Sequence, residues 1–246
     1  MREELGERLP GGNVTGAWRV GRTVRRAVGP WTPAVHALLH HLVDRLDHVP
    51  RVEGMDARGR EVLTYLPGRI VDEDTELLTD AQLWSLTRWT RELHEAVSDF
   101  QHPGPWRFYP VDEWSLIGHN DLGPYNVCFD GDDLAGVFDW DLAGPSTPLM
   151  ELAFLAWNGV PLRRPIEAGE QARRLALMAE AYGEVSARQI LEAVPGRIRL
   201  VLSGIPAAAA AGDPGMQNLV AFGEPERSRR ALAALVERFD VVRSQV

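Results

Sequence analysis

The chain has 246 residues, with 26 basic against 35 acidic side chains and a formal charge of −9. That length suits one two-lobed domain or two small ones, and the acidic balance argues against binding the phosphate backbone of nucleic acid. No apolar run is long enough to span a bilayer. Met1-Arg2-Glu3-Glu4 lacks the basic-then-apolar order of a secretory signal, and the single cysteine, Cys128, cannot form an internal disulfide. These features lead us to expect a cytoplasmic protein without a membrane partner. All 26 basic residues are arginine, so any site that ordinarily uses lysine must do without it.

In chain order, Pro10 to Gly16 is a glycine-rich turn. Ala17–Val20 and 23–27 read as strands joined by Gly21-Arg22. Thr32-Pro33 is a helix start, a cap followed by a first-turn proline, and Leu38, Leu39, Leu42, Val43 and Leu46 then recur at helical spacing. A strand over 61–66 ends at Pro67-Gly68, which divides a strand-rich part, 1–67, from a helix-rich part, 68–246. Thr79 with Gln82 forms a capping box ahead of a helix with Leu83, Leu86, Leu93 and Val97 near one face. Strands over 127–129 and 136–140 flank the turn-rich Asp130-Gly131-Asp132-Asp133. Thr147-Pro148 opens a helix through Trp157, and further helices are expected near 166–182, 187–194, 197–211 and 225–243. Ser186 with Gln189 repeats the capping box.

The chemistry concentrates in Gly118-His119-Asn120-Asp121-Leu122-Gly123-Pro124-Tyr125-Asn126, followed by Asp139-Trp140-Asp141. A hairpin turning at Asp132 and Asp133 sets Asn126 opposite Asp139, with Cβ atoms about 5 Å apart. An amide oxygen and a carboxylate at that spacing can share a magnesium ion, which prefers oxygen ligands and keeps positions for water or phosphate. Asp121, five residues before Asn126 across a Gly-Pro turn, can orient an attacking hydroxyl and accept its proton.

His119 to Asn126 with Asp139-Trp140-Asp141 resembles the aminoglycoside phosphotransferase family, and the resemblance extends over most of residues 8–160. It implies an α+β, bilobal, protein-kinase-like fold, with a small strand-rich N-lobe and a larger helical C-lobe. It further implies a kinase that moves the terminal phosphate of ATP or GTP to a hydroxyl of a small-molecule acceptor, with an aminoglycoside or another cationic antibiotic among the candidates. In that pattern Asp121 is the catalytic base and His119 braces the catalytic loop. Asn126 and Asp139 are magnesium ligands, with Asp141 as a supporting acid. Gly11, Gly12 and Gly16 cover the phosphates, and the backbone at Tyr65 and Leu66 meets the base.

Several positions depart from the family pattern. Its third-strand lysine is absent. Strand alternation puts Val24 and Arg26 on one face, and Arg26 is the substitute, bulkier and forked. No acid occurs from Ala27 to Val43, so the usual helix-borne partner is missing and Arg26 is left to Asp44 or to the phosphates. Asn120 stands where the family has glycine, and Glu151 where it has aspartate. These departures support a rival reading, a nucleotide- or ligand-binding immunity or regulatory protein of the same fold with little turnover; a metal-dependent hydrolase is a third. Glu151, Glu180, Glu184 and Asp213 are candidate acids for a cationic acceptor. His36, His40, His41 and His48 read as a solvated helix face rather than a metal site, Trp84, Trp89 and Trp157 as packing residues, and Cys128 as a buried, inert thiol.

Overall fold

The computed structural model describes residues 6–9, 16–73, 75–107 and 111–246. Its N-terminal part contains strands β1 (Glu7–Arg8), β2 (Ala17–Val20), β3 (Thr23–Arg26), β4 (Val52–Met55) and β5 (Glu61–Thr64), arranged as one antiparallel sheet in the order β1-β2-β3-β5-β4. Helix α1 (Thr32–Leu42) begins with Pro33 in its first turn and buries Val35, Leu38, Leu39 and Leu42. Thr32 is its first helical residue and not its cap: Trp31 holds the cap position without a side-chain bond, and the Thr32 hydroxyl accepts from the Gly29 amide (2.9 Å). The β3–β5 register sets Arg26 opposite Glu61, a pairing that matters at the site.

After Pro67-Gly68 the backbone of Arg69 exchanges two hydrogen bonds with Phe129, at 2.8 and 3.0 Å. Helix α2 (Asp80–Ala96) starts at the Thr79–Gln82 capping box, with both reciprocal bonds formed. Two short antiparallel pairs follow. β6 (Leu116–Gly118) lies against β9 (Gly144–Ser146), and β7 (Val127–Asp130) lies against β8 (Asp133–Val137). The rest is helical: α3 (Pro148–Gly159), α4 (Ala168–Tyr182), α5 (Ala187–Ala210), α6 (Pro214–Ala221) and α7 (Glu224–Arg243). One apolar cluster runs from Leu38 and Leu42 through Leu83, Leu86 and Leu93 to Leu152, Leu155, Leu175 and Leu191. The α+β fold has its sheet at the N-terminus and its helices at the C-terminus, and no helix among the described residues is long and apolar enough to cross a membrane.

Three local expectations are corrected. The strand expected over 136–140 ends at Val137, because the backbone turns left-handed at Asp139 (φ 60°, ψ 65°). The break expected near Pro195 does not occur, and α5 runs through both Pro195 and Pro206. An interior proline costs a helix about 3 kcal/mol, but α5 buries Ile190, Leu191, Val194, Ile198 and Ile205. Each such side chain contributes about 1.5–3 kcal/mol, so burial outweighs the two prolines. Helix α6 was not anticipated, although Asp213-Pro214 is a cap followed by a first-turn proline, the same signal read at Thr147-Pro148.

Candidate active site

The loop after β6 is held from beneath by one carboxylate. Glu151, in the first turn of α3 and 1% exposed, accepts hydrogen bonds from the backbone amides of His119 (2.8 Å) and Asn120 (2.9 Å) and from the Ser146 hydroxyl (3.4 Å). Burial raises its pKa, against the pull of Arg197 and the two amides. The extra methylene relative to aspartate is accommodated at Gly118, where a Cβ would stand 2.6 Å from the Glu151 carboxyl carbon. Asn120 has φ 64°, a left-handed conformation that asparagine tolerates better than most residues. Its side chain donates to Gly144 O (3.1 Å), and its carbonyl accepts from Arg197 on α5 (2.7 Å). Asparagine thereby does what glycine does in the family pattern and adds a tether.

His119 is fully buried and packs against the Trp140 ring, with centroids 4.6 Å apart. Its Nε2 bonds the Phe138 carbonyl (3.1 Å), and its Nδ1 accepts from the Asp121 amide (3.3 Å), which makes Nε2 the protonated nitrogen. Burial pushes its pKa down to about 4, so the ring is a neutral brace.

Asp121 is half-buried in the loop. One oxygen accepts from the Tyr125 hydroxyl (2.9 Å) and the other from Asn126 Nδ2 (2.8 Å). Desolvation, with Asp139 adding to it, pushes the carboxyl up to about 7, against the effect of those two hydrogen bonds. Because Asn126 Nδ2 also donates to the Asp121 carbonyl (3.0 Å), its amide oxygen turns away from Asp121. The hairpin register differs from the expected one. The turn closes at Gly131-Asp132, between paired Asp130 and Asp133, one residue earlier than expected. A bulge at Cys128/Phe129 recovers part of the shift, so Val127 pairs with Val137 and the Asn126 carbonyl meets the Phe138 amide (3.0 Å). Asn126 therefore faces Phe138, and the left-handed turn at Asp139 redirects that carboxylate, leaving its side chain 36% exposed. The Asn126 amide oxygen and the Asp139 carboxylate are hard donors that fit magnesium. Asp141 fits less well, since guanidinium groups take both of its oxygens.

Those guanidiniums belong to a line of charge. Arg26 Nη2 lies 2.8 Å from Asp139 Oδ1 and 2.7 Å from Asp141 Oδ1, while its Nε lies 3.7 Å from Glu61. Burial alone would lower the Arg26 pKa, but Asp141, Asp139 and Glu61 outweigh it and hold the group above its ordinary value. The other Glu61 oxygen meets His36 of α1 (2.8 Å). Arg107 reaches the second Asp141 oxygen (3.1 Å), forks onto Asp213 (2.9 and 2.8 Å) and lies 4.2 Å over the Trp31 ring. Arg26 is thus partnered by Glu61, Asp139 and Asp141, not by Asp44. Two acids considered for a cationic acceptor are committed elsewhere, Glu151 to the loop and Asp213 to Arg107. Glu184 accepts from Arg91 (2.9 Å), and Glu180 is exposed.

Of the residues expected to meet nucleotide, Gly11 and Gly12 lie outside the described residues. Gly16 adopts φ +72° beside the Trp18 ring. The Tyr65 amide is already bonded to Arg22 O (2.9 Å), and its ring lies under Arg19; the Leu66 carbonyl stands 3.8 Å from Cys128 Sγ. Burial pushes the Cys128 thiol up to about 11. The histidines disperse, with His36 on Glu61, His41 on Ala96 O and His48 on Ala135 O. Among the described residues no three His, Cys, Asp or Glu side chains cluster as a metal site. Sequence reasoning missed Tyr125, Arg197, Arg107 and the Glu61 partnership. Only Tyr125, inside the motif, carried a local signal.

Residues 110–187, which contain this loop, match the model of the phosphotransferase enzyme family. A trifolitoxin immunity protein from Rhizobium leguminosarum bv. trifolii is 28% identical over 242 residues, covering 93% of this chain and 84% of that protein. An amicoumacin kinase solved with AMP-PNP, Ca2+ and Ami superposes with a TM-score of 0.64 at 14% identity, over 92% of this chain and 89% of that one. The GDP complex of an aminoglycoside 2′-phosphotransferase of type IIIa gives 0.59 at 16% identity, over 89% and 90%. The chain therefore matches the phosphotransferase enzyme family through the segment that carries the site, and it shares the kinase-like fold of antibiotic phosphotransferases over nearly its whole length.

Proposed function

We propose that this protein is a cytoplasmic small-molecule kinase that transfers the terminal phosphoryl group of ATP or GTP to a hydroxyl acceptor placed beside Asp121. The observation that carries this reading is the Asp121 carboxylate, fixed by Tyr125 and Asn126 and pushed up to about 7. A base with a pKa near the working pH accepts a proton efficiently. The acceptor oxygen forms its bond to phosphorus, the bond to the leaving diphosphate breaks, and the hydroxyl proton passes to Asp121. Asn126 and Asp139 would hold magnesium, which neutralises charge on the phosphates. Glu151, Asn120 and Arg197 keep the loop in place, and Tyr125 stays a hydrogen-bond donor because burial, with Asp121 beside it, holds its hydroxyl well above its ordinary pKa. Asp121→Ala is expected to lower turnover by at least about a hundredfold, the scale of a lost general base, in a variant that still unfolds cooperatively. Turnover within a fewfold of wild type would defeat the assignment.

A second reading is favoured by one observation, the Arg26 nitrogen between Asp139 and Asp141 where kinase chemistry calls for a cation. It is a nucleotide- or ligand-binding immunity protein with little turnover, in keeping with the name of the relative from Rhizobium leguminosarum. Nucleotide binding without any phosphorylated product, across amino alcohols, sugars and cationic antibiotics, would select it.

A further inference from the structure

One nitrogen of Arg26 lies within 2.8 Å of a carboxylate oxygen from each of Asp139 and Asp141, the bridging position that a divalent ion takes between two acids. The side chain is held there from behind. Glu61 faces Nε across the β3–β5 register, and His36 of α1 holds the second Glu61 oxygen at 2.8 Å. In front, Arg107 occupies the remaining Asp141 oxygen, with its own position set by Asp213 and Trp31. Arg26 therefore fills a built socket, with its side chain 9% exposed. Asn126 is the one proposed ligand that this network leaves untouched.

We infer that Arg26 is an internal competitor for the divalent cation at Asp139, so that the cation enters only together with nucleotide phosphates that draw the guanidinium away. The inference rests on the proposed Asn126–Asp139 cation site. A guanidinium cannot leave three acids for water without a large desolvation imbalance, but a triphosphate offers bidentate oxygens of comparable strength. The exchange is then between two anionic partners rather than between a partner and solvent. Arginine at this position becomes a residue that sets the order of binding, because the bare cation meets a site already neutralised while the nucleotide–cation pair does not.

The test is Mn2+ binding followed by the electron paramagnetic resonance of the free ion, with and without AMP-PNP, on the full chain. Without nucleotide, Arg26→Ala is expected to bind Mn2+ at least about tenfold tighter than wild type, and its melting temperature should rise on adding Mn2+. Arg26→Lys retains one charge against the three acids and protects the fold. Its single nitrogen cannot serve Glu61 and bridge both aspartates, so a smaller gain of about threefold is expected, and this variant decides the matter if the alanine variant does not fold. Asp139→Ala in the Arg26→Lys background should abolish the gain, which locates the signal at this site. Equal Mn2+ affinity in wild type and both variants, with AMP-PNP-dependent binding intact, would overturn the competition alone. Absence of Mn2+ binding in every protein even with AMP-PNP would overturn the cation site and the competition together.

Discussion

Two halves of the site are held by different forces. The loop carrying His119, Asn120 and Asp121 is gripped by hydrogen bonds to backbone, with Glu151 on two amides, Arg197 on the Asn120 carbonyl and neutral His119 on the Phe138 carbonyl. The half nearest the sheet is held by ion pairs, Glu61–Arg26–Asp139 and Asp141–Arg107–Asp213. A backbone group has a fixed address and no other strong partner within reach, so the first half behaves as frame. A charged side chain can trade one counter-ion for another of equal charge, so the second half can rearrange when phosphate or metal arrives. The contrast teaches that stability should fall most when the frame is cut, whereas changes in the charge line should appear mainly as altered ligand binding.

The strongest way to break this comparison is Glu151→Ala. It strands two buried amides and leaves the buried Arg197 without its carboxylate neighbour. Breaking a buried charged contact of this kind costs about 3–5 kcal/mol. Urea titration should show the midpoint drop, with phosphoryl transfer lost at temperatures where the variant still folds. An unfolding free energy within about 0.5 kcal/mol of wild type, the scale of a surface substitution, would mean that the loop stands without Glu151.

Gly118→Ala attacks the same frame from the other side. The new Cβ would lie 2.6 Å from the Glu151 carboxyl carbon, and that side chain is buried and engaged on both oxygens. Overpacking of this kind costs about 1–3 kcal/mol. A shorter acid should relieve it, so Gly118→Ala combined with Glu151→Asp is expected to recover part of the loss. A double variant no more stable than Gly118→Ala alone would show that the clash is not with this carboxylate.

Acid probes the loop half against the rest of the helical core. Burial pushes both His94 and His119 down to about 4, whereas an unfolded histidine titrates near 6.5. The unfolded chain therefore binds more protons between these values. The contribution of each ring is complete above about pH 6.5 and falls as the pH drops through that window, by about 2 kcal/mol at pH 5, while the Asp121 carboxyl, raised to about 7, acts in the opposite direction. His94, bonded to the Tyr182 hydroxyl at 2.9 Å, is the cleaner probe because it lies outside the catalytic loop. His94→Phe should lessen the loss of stability between pH 7 and 5 by about 2 kcal/mol relative to wild type, and an unchanged pH dependence would assign the acid sensitivity to other groups.

What could be read in the sequence divides along the same line. Features set by neighbours in the chain were legible, including the Thr79–Gln82 and Ser186–Gln189 capping boxes, the helix starts at Thr32-Pro33 and Thr147-Pro148, and the grouping of Asp121 with Asn126. Features set by long-range pairing were not. Arg26 meets Glu61 because β3 lies beside β5, and Arg107 meets Asp213 across 106 positions; no local pattern announces either. The hairpin stood between the two cases. The turn-rich segment was visible, but the turn closes at Gly131-Asp132 rather than Asp132-Asp133 and a bulge takes back only part of that shift, so Asn126 faces Phe138 while Asp139 sits in a left-handed turn. Helix α5 escaped for an energetic reason, since burial of its apolar face overrides two prolines that propensity alone would count as breaks.

The smallest expected effect sharpens the comparison within a single residue. Asp213 belongs to both kinds of contact. It caps α6, accepting from the amides of Gly215 (2.9 Å) and Met216 (3.1 Å), and it takes the fork of Arg107. Asparagine caps a helix as well as aspartate does but removes the charge. Asp213→Asn is expected to cost about 1 kcal/mol, since Arg107 keeps Asp141 and the Trp31 face and a hydrogen bond to a charged group is worth about 1.5–3 kcal/mol at most. Asp213→Ala, which loses the cap too, should cost about 1 kcal/mol more. The difference between the variants isolates the cap, and the asparagine value isolates the ion pair. If Asp213→Asn destabilised the chain as severely as Glu151→Ala, the charge line would be frame as well, and its exchange with phosphate would be energetically closed.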